Sequence, residues 1–309
     1  MQMTPLTTTI LARFQVRKTR RQKAAFLEWA VAQAVRAGYP AHIERGTFGS
    51  RNLVIGSPQE ADVVFAAHYD TCAKLPFANL CAPKNLPVFL LLQGLIFLFV
   101  FVPAFGSALA WRLLGLPWAG CVSAAVALLL MGLLFFGPAN PHTANDNTSG
   151  VATVLGAMQA MPEALRPHAA FVLFDLEELG LLGSSSFYSA HKETMDRRLL
   201  VNFDCVGDGR HMLFAVRKGA RRYLPQLRAA YAPAGGFAVE MAVKGVFYPS
   251  DQLCFPCAAG VVALKRAKRF HLLYLGRIHT RRDTECGAEN IAFLVQGAVR
   301  LVRRFAANP

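Results

Sequence analysis

The side chains best suited to chemistry in this chain are two histidines and a set of carboxylates, and their positions follow a pattern. His68 and Asp70 follow the apolar run Val63–Ala67. Asp175, Glu177 and Glu178 follow Ala169–Phe174, and Asp204 follows Leu199–Phe203. His279 and Asp283 precede the last helical segment, and Asn145-Asp146-Asn147-Thr148-Ser149-Gly150 leads into another helical stretch. Imidazole with carboxylate, and without thiolate, suits a catalytic zinc site that keeps one position open for water. Taken singly, each residue has an ordinary explanation: a satisfied buried histidine, a solvated glutamate pair, a helix cap at Asp146, a turn at Asp204. Their joint occurrence at successive strand ends is what points to a site, because open α/β sheets gather their ligands there.

The elements that must position these residues can be read from periodicity. Leu11–Gly38 repeats apolar residues at helical spacing and predicts one amphipathic helix ending at Gly38. Short extended runs follow at 42–44, 52–56 and 62–68, the last apolar enough for a strand buried on both faces. Beyond residue 150 the pattern alternates: helix 150–161, strand 169–175, helix 184–191, strand 199–203, strand 210–217, helix 220–231, a weak strand 239–243, strand 260–264 and a terminal helix 288–305. Alternation of this kind predicts an α/β fold in three αβα layers, with a mostly parallel mixed sheet between helices.

One stretch breaks the pattern. No charged side chain occurs from Asn85 to Trp111, and only the titratable His142 from Leu113 to Asn145. Residues 87–105 and 117–136 are each close to the roughly 20 needed to cross a bilayer as a helix. A hairpin of two membrane spans is expected over 86–137, between a first part (1–85) and a remainder (138–309) of one catalytic domain. The alternative is a pair of buried core helices, which at this length normally carry a polar face.

The motifs themselves carry a resemblance. Ala67-His68-Tyr69-Asp70-Thr71, Asn145–Gly150, Phe174-Asp175-Leu176-Glu177-Glu178-Leu179-Gly180-Leu181-Leu182-Gly183-Ser184, Val201-Asn202-Phe203-Asp204 and Ile278-His279-Thr280 resemble the five metal-site motifs of the two-zinc exopeptidases. That family includes bacterial leucine aminopeptidases, aminopeptidase Y and glutamate carboxypeptidase II. The resemblance implies two Zn2+ ions: one on His68 and Asp204, the other on Glu178 and His279, with Asp146 bridging. It implies Glu177 as general base, Asp70 as the partner that orients the His68 ring, and Ser250 and Asp251 near the substrate. Adjacent glutamates suit this division, since one can ligate while the other stays free for proton transfer. A shared carboxylate offsets the repulsion of two close cations. Aminopeptidase action on a peptide is preferred over carboxypeptidase action, because the chain lacks room for the extra domains of that branch. Glutaminyl cyclases, with one zinc, share several of the motifs. A receptor on a dead peptidase fold is the non-enzymatic alternative.

In soluble relatives the first two motifs lie close in sequence, whereas here 78 positions separate His68 from Asp146. A hairpin returns the chain to the side it left, so two spans let these residues meet.

Charge and cysteines narrow the setting. The net charge of +14 comes without a nucleic-acid motif or a stacking platform, so no nucleic-acid partner is expected. The densest basic run, Arg17-Lys18-Thr19-Arg20-Arg21-Gln22-Lys23, reads as a solvated helix start, with anionic lipid contact as the functional alternative. Seven irregularly spaced cysteines make no disulfide framework, and the lone Cys254-Phe255-Pro256-Cys257 reads as packed, reduced thiols. No secretory signal is visible. Lys74 and Lys84 precede the first span while Arg112 alone lies in the connector, which favours an integral protein of the inner or plasma membrane with a cytosol-facing catalytic domain.

Overall fold

A computed structural model describes residues 2–77, 79–267, 269 and 272–307. Ten strands form one sheet: β1 (Ala41–Arg45), β2 (Arg51–Ile55), β3 (Val63–His68), β4 (Leu80–Cys81), β5 (Ala169–Phe174), β6 (Leu199–Phe203), β7 (His211–Val216), β8 (Ala238–Ala242), β9 (Ala258–Arg266) and β10 (Leu273–Gly276). The α-helices are α1 (Pro5–Arg13), α2 (Arg20–Arg36), α3 (Leu86–Leu113), α4 (Ala119–Phe136), α5 (Gly150–Ala160), α6 (Leu182–Ala190), α7 (Lys192–Met195), α8 (Leu224–Ala230) and α9 (Ala288–Ala307).

The sheet order is β1-β2-β5-β3-β6-β9-β10-β4, with β7 against β9 and β8 outside β7. Strands β5, β3, β6 and β9 are mutually parallel, β1–β2, β2–β5, β9–β10, β10–β4 and β7–β9 pair antiparallel, and the edge strand β8 runs parallel to β7. Alternation along β3 divides the core. Val63, Phe65 and Ala67 join the apolar layer beneath α1, α2, α5, α8 and α9, whereas Val64 and Ala66 join the layer that contains Phe187 and Met195 of α6 and α7. Phe65 stacks between Phe171 and Phe203 at 5.7 and 6.2 Å, which locks the register of the three central strands. This is the expected three-layer α/β architecture.

Three expectations need correction. The segment Leu11–Gly38 is two helices, α1 and α2, because Phe14 closes the first and Thr19 opens the second. The Thr19 side chain accepts from the Gln22 amide while Gln22 reaches back, a reciprocal capping box. The basic run is not uniformly solvated. Arg17 and Lys23 are buried, the latter 2.5 Å from Asp175. The predicted helix 220–231 is a 3-10 turn (Lys218–Tyr223) followed by α8, which starts at Leu224 with Pro225 in its first turn. Strands β4 and β10 were not anticipated.

Helices α3 and α4 pack against each other, joined by residues 114–118. Helix α3 continues through Pro103 to Leu113, eight residues past the expected end of the first span. Both helices are long and apolar enough to cross a membrane. They are not core helices: of the 26 exposed large hydrophobic residues, 21 lie between Leu86 and Phe136. An apolar surface so concentrated marks a contact with something other than water.

Candidate metal and catalytic site

The carboxyl ends of β3, β5 and β6 bring the sequence motifs together. His68 ends β3, the Asp175–Glu178 turn follows β5, and Asp204 follows β6. Asp146 lies in the turn Ala144–Ser149 that enters α5, and His279 in the turn after β10. Three residues at this convergence have left-handed backbone: Leu176 (φ 56°), Cys205 (φ 54°) and His279 (φ 58°). Such conformations cost about 1–3 kcal/mol each and persist where surrounding contacts impose them. Glycines allow close approach in two motifs. A Cβ on Gly183 would lie 2.0 Å from the Asp175 carbonyl oxygen, and one on Gly150 would lie 2.3 Å from that of Phe203.

The two carboxylate oxygens of Asp146 face different partners. Oδ1 lies 3.4 Å from His68 Nε2, which is also 3.5 Å from Asp204 Oδ1. Oδ2 lies 3.0 Å from His279 Nε2, which is 3.4 Å from Glu178 Oε2. The site is therefore two clusters sharing Asp146. Glu177 joins the first, with ligand atoms of His68, Glu177 and Asp204 all within 4.8 Å of one another. His68 Nδ1 turns the other way, 3.1 Å from the Asp70 carbonyl and 3.5 Å from Asp70 Oδ1. Asp70 also accepts the Glu177 amide at 3.1 Å and the Glu178 amide at 3.3 Å, so one carboxylate orients three of the residues.

Charge explains how this cluster departs from ordinary titration. Burial pushes Glu178 up to about 7 and Glu177 well above the carboxylate range. Burial alone would lower the imidazoles, but the surrounding carboxylates win. His279 rises to about 9, beside Glu178 and Asp146, and His68 rises well above its usual value, beside Glu177, Asp146, Asp204 and Asp70. Burial opposes ionisation of Asp146, yet hydrogen bonds from His279 and His68 hold it below its usual range. Burial and the Asp146 charge push Asp283 up to about 8.

The residues fit a pair of divalent cations. Glu178 Oε1 and Asp204 Oδ1 are buried with no hydrogen-bond partner among the described residues. Buried charged oxygens of this kind are costly unless a cation meets them. Imidazole and carboxylate are a zinc donor set. Cys72 lies near Glu178 and His279, and Cys205 near Asp146 and Asp204. Burial raises both thiols well above their usual range.

Several further residues support the site: Asp283 and Asn147 fall in stretches the sequence already marked, whereas the burial of Arg17 has no signal in the sequence pattern. Asp283 accepts the Asn145 amide at 2.8 Å and the Asp146 amide at 3.0 Å. Asn147 Oδ1 accepts the amides of Gly150 and Cys205, while its Nδ2 donates to the Phe203 carbonyl. Fully buried Arg17 donates to the Tyr69 carbonyl and to Thr148 Oγ1, and its backbone amide donates to Thr71 Oγ1. It thereby ties the motif before the α3–α4 hairpin to the motif after it. Its side chain also lies over the Phe26 ring, 5.3 Å from the centroid.

The cavity beside the acids measures about 170 Å³. Opposite His68, Asp146, Glu177, Glu178, Asp204 and His279 it is walled by Cys81, Phe89, Gln93, Tyr248, Leu275 and Ile278, among others. Phe89 and Gln93 belong to α3. Ser250 and Asp251 are fully buried and do not line this cavity. Ser250 Oγ accepts from Asn202, and both oxygens of Asp251 lack a hydrogen-bond partner among the described residues. All seven cysteines are free, Cys254 and Cys257 included.

A family model described as Peptidase family M28 matches residues 130–291, just over half of the chain. The match spans Asp146, Glu177, Glu178, Asp204 and His279. No curated protein matches. Among solved structures, the fold is similar to that of the LapA aminopeptidase of Legionella pneumophila, with TM-score 0.59 and 16% identity over 98% of this chain and 68% of that one. It is equally similar to a Porphyromonas gingivalis glutaminyl cyclase, with TM-score 0.59 and 15% identity over 97% of both chains. A Zn-dependent exopeptidase from Parabacteroides distasonis aligns with TM-score 0.54 and 14% identity over 98% of this chain and 96% of that one. At these identities the likeness is one of fold.

Proposed function

Because the chain belongs to Peptidase family M28, whose peptidases are zinc-dependent, we propose that it is a membrane-anchored aminopeptidase with two zinc ions. The observation that carries this reading is the division of Asp146 between two imidazole–carboxylate clusters. His68 and Asp204 would hold one ion and Glu178 and His279 the other, with Asp146 available to both. When bound, the pair supplies Lewis acidity that polarises the scissile carbonyl and acidifies a water.

The chain's own residues do the rest. Glu177, its carboxyl raised by burial, takes a proton from the attacking water and delivers it to the departing amine. Asp70 fixes the His68 tautomer through Nδ1 and holds the Glu177–Glu178 backbone. Asp283 fixes the approach of Asp146. A cavity of about 170 Å³ is below the roughly 300–1,000 Å³ of sites for larger ligands, and so suits one terminal residue rather than a length of chain.

Helices α3 and α4 form the anchor. Their exposed apolar surface fits a bilayer, and Lys74 and Lys84 precede the start of α3 while Arg112 alone lies near the α3–α4 connector. That bias supports a cytosol-facing domain.

The test is zinc content of the purified protein together with hydrolysis of aminoacyl-nitroanilides. Two metals with cleavage support the proposal. One metal with pyroglutamate formation would replace it by a cyclase, and folded protein that binds no metal would remove the enzymatic reading.

A further inference from the structure

Helix α3 has 28 residues and α4 has 18, and only 114–118 join them. Their connected ends therefore align, and about ten residues of α3 reach past α4 at the other end, roughly 15 Å of helix at 1.5 Å per residue. That overhang carries Phe89 and Gln93, one turn apart on the same face, and both line the cavity beside the acids. Phe89 is 7% exposed and packs edge-on against Phe247 at 5.1 Å, which fixes the rotation of the helix there.

Gln93 is the one polar side chain between residues 87 and 105. A polar group in an apolar helix is costly unless it faces a partner or a watered cavity. Its amide makes no hydrogen bond to another described residue. Around it, Phe89, Cys81, Leu275 and Ile278 are uncharged, and every charged group lining the cavity lies on the side of the metal cluster.

We propose that Gln93 is a specificity-determining residue of the substrate cavity, and that this wall selects a terminal residue with a neutral side chain. The inference rests on the aminopeptidase reading above. A neutral amide offers one donor and one acceptor to a neutral group and gives a charged side chain no counter-ion. Helix α3 is then a wall of the active site as well as part of the anchor.

The experiment uses the full chain in detergent, with zinc content measured for each preparation, and leucyl-, glutaminyl-, lysyl- and glutamyl-nitroanilides as probes. Gln93→Glu should raise the kcat/KM ratio of the lysyl over the leucyl substrate about tenfold or more, and Gln93→Lys should do the same for the glutamyl substrate. Zinc content should match the wild type in both. A change confined to packing lowers all substrates together and cannot raise the lysyl ratio in one variant and the glutamyl ratio in the other. Ratios within twofold of wild type, in zinc-loaded variants, would overturn the proposal. If either variant does not fold, Gln93→Met carries the test: it should lower glutaminyl relative to leucyl cleavage at least about threefold, and an unchanged ratio overturns the proposal. A wild-type protein that cleaves none of the probes overturns the aminopeptidase reading and this inference with it. Cleavage with invariant ratios overturns the inference alone.

Discussion

Asp283 touches no donor of the metal cluster through its own side chain, yet it holds the loop that presents Asp146. Its two oxygens accept two buried backbone amides, from Asn145 at 2.8 Å and Asp146 at 3.0 Å, and the residue is 2% exposed. Asp283→Asn keeps one acceptor and turns an NH2 toward the other amide. One hydrogen bond is lost and a backbone amide is left buried without a partner, about 1–3 kcal/mol. At about 2–4 °C per kcal/mol, the melting temperature should fall by roughly 2–12 °C. Release of the loop should weaken zinc binding by about 10–100-fold, as loss of a group supporting a ligand commonly does. Differential scanning fluorimetry of the metal-free protein reads the first effect, and competition with a chromophoric chelator reads the second. Unchanged melting together with zinc affinity within twofold of wild type would show that Asp283 does not fix this loop.

Three further outcomes follow from the same geometry. Glu177→Gln should retain zinc and lose about 10²–10⁴ in kcat; unchanged turnover would rule out Glu177 as the base. Lys23→Met strands the buried Asp175 carboxylate and should cost about 3–5 kcal/mol in denaturant unfolding. Adding Asp175→Asn should return part of that loss, and a double variant no better than the single one would refute the pairing. Replacing residues 86–137 by a short Gly–Ser link should give a soluble domain that still binds zinc but has altered substrate selection, because Phe89 and Gln93 leave with the hairpin. Failure of that protein to fold would mean that α3 and α4 are structural core.

The central strands were legible because β3, β5 and β6 are continuous apolar runs, and burial on both faces permits little else. The candidate site residues were legible as a group because each lies at or just after such a run or at a helix entrance, and the structure brings His68, Asp146, Glu178, Asp204 and His279 together. Arg17 was not legible. A charged side chain in a basic run implies solvent, and its burial depends on the carbonyls of Phe14 and Tyr69, which leave no trace in side-chain type. The break between α1 and α2 was encoded by Thr19 and Gln22, but helical spacing of apolar residues on both sides masked it. Strands β4 and β10 are too short to show a period and exist through pairing with each other. Phe89 and Gln93 were hidden for the opposite reason: an apolar run long enough to span a membrane gives no hint that one end of it faces a cavity.

The place of the hairpin in the chain order also dictates when the enzyme can come into being. Strand β3, which carries His68, is hydrogen-bonded in the sheet to β5 and β6, and both are encoded after α4. The first 85 residues encode β1 and β2, which pair with each other in the finished sheet, but neither neighbour of β3. The hairpin thus leaves the ribosome before a sheet exists to receive His68, and the last metal-site residue, His279, comes later still. With the hairpin as the anchor proposed above, insertion would precede activity by the order of translation alone, and the hydrolase would reach its membrane before it could cut anything.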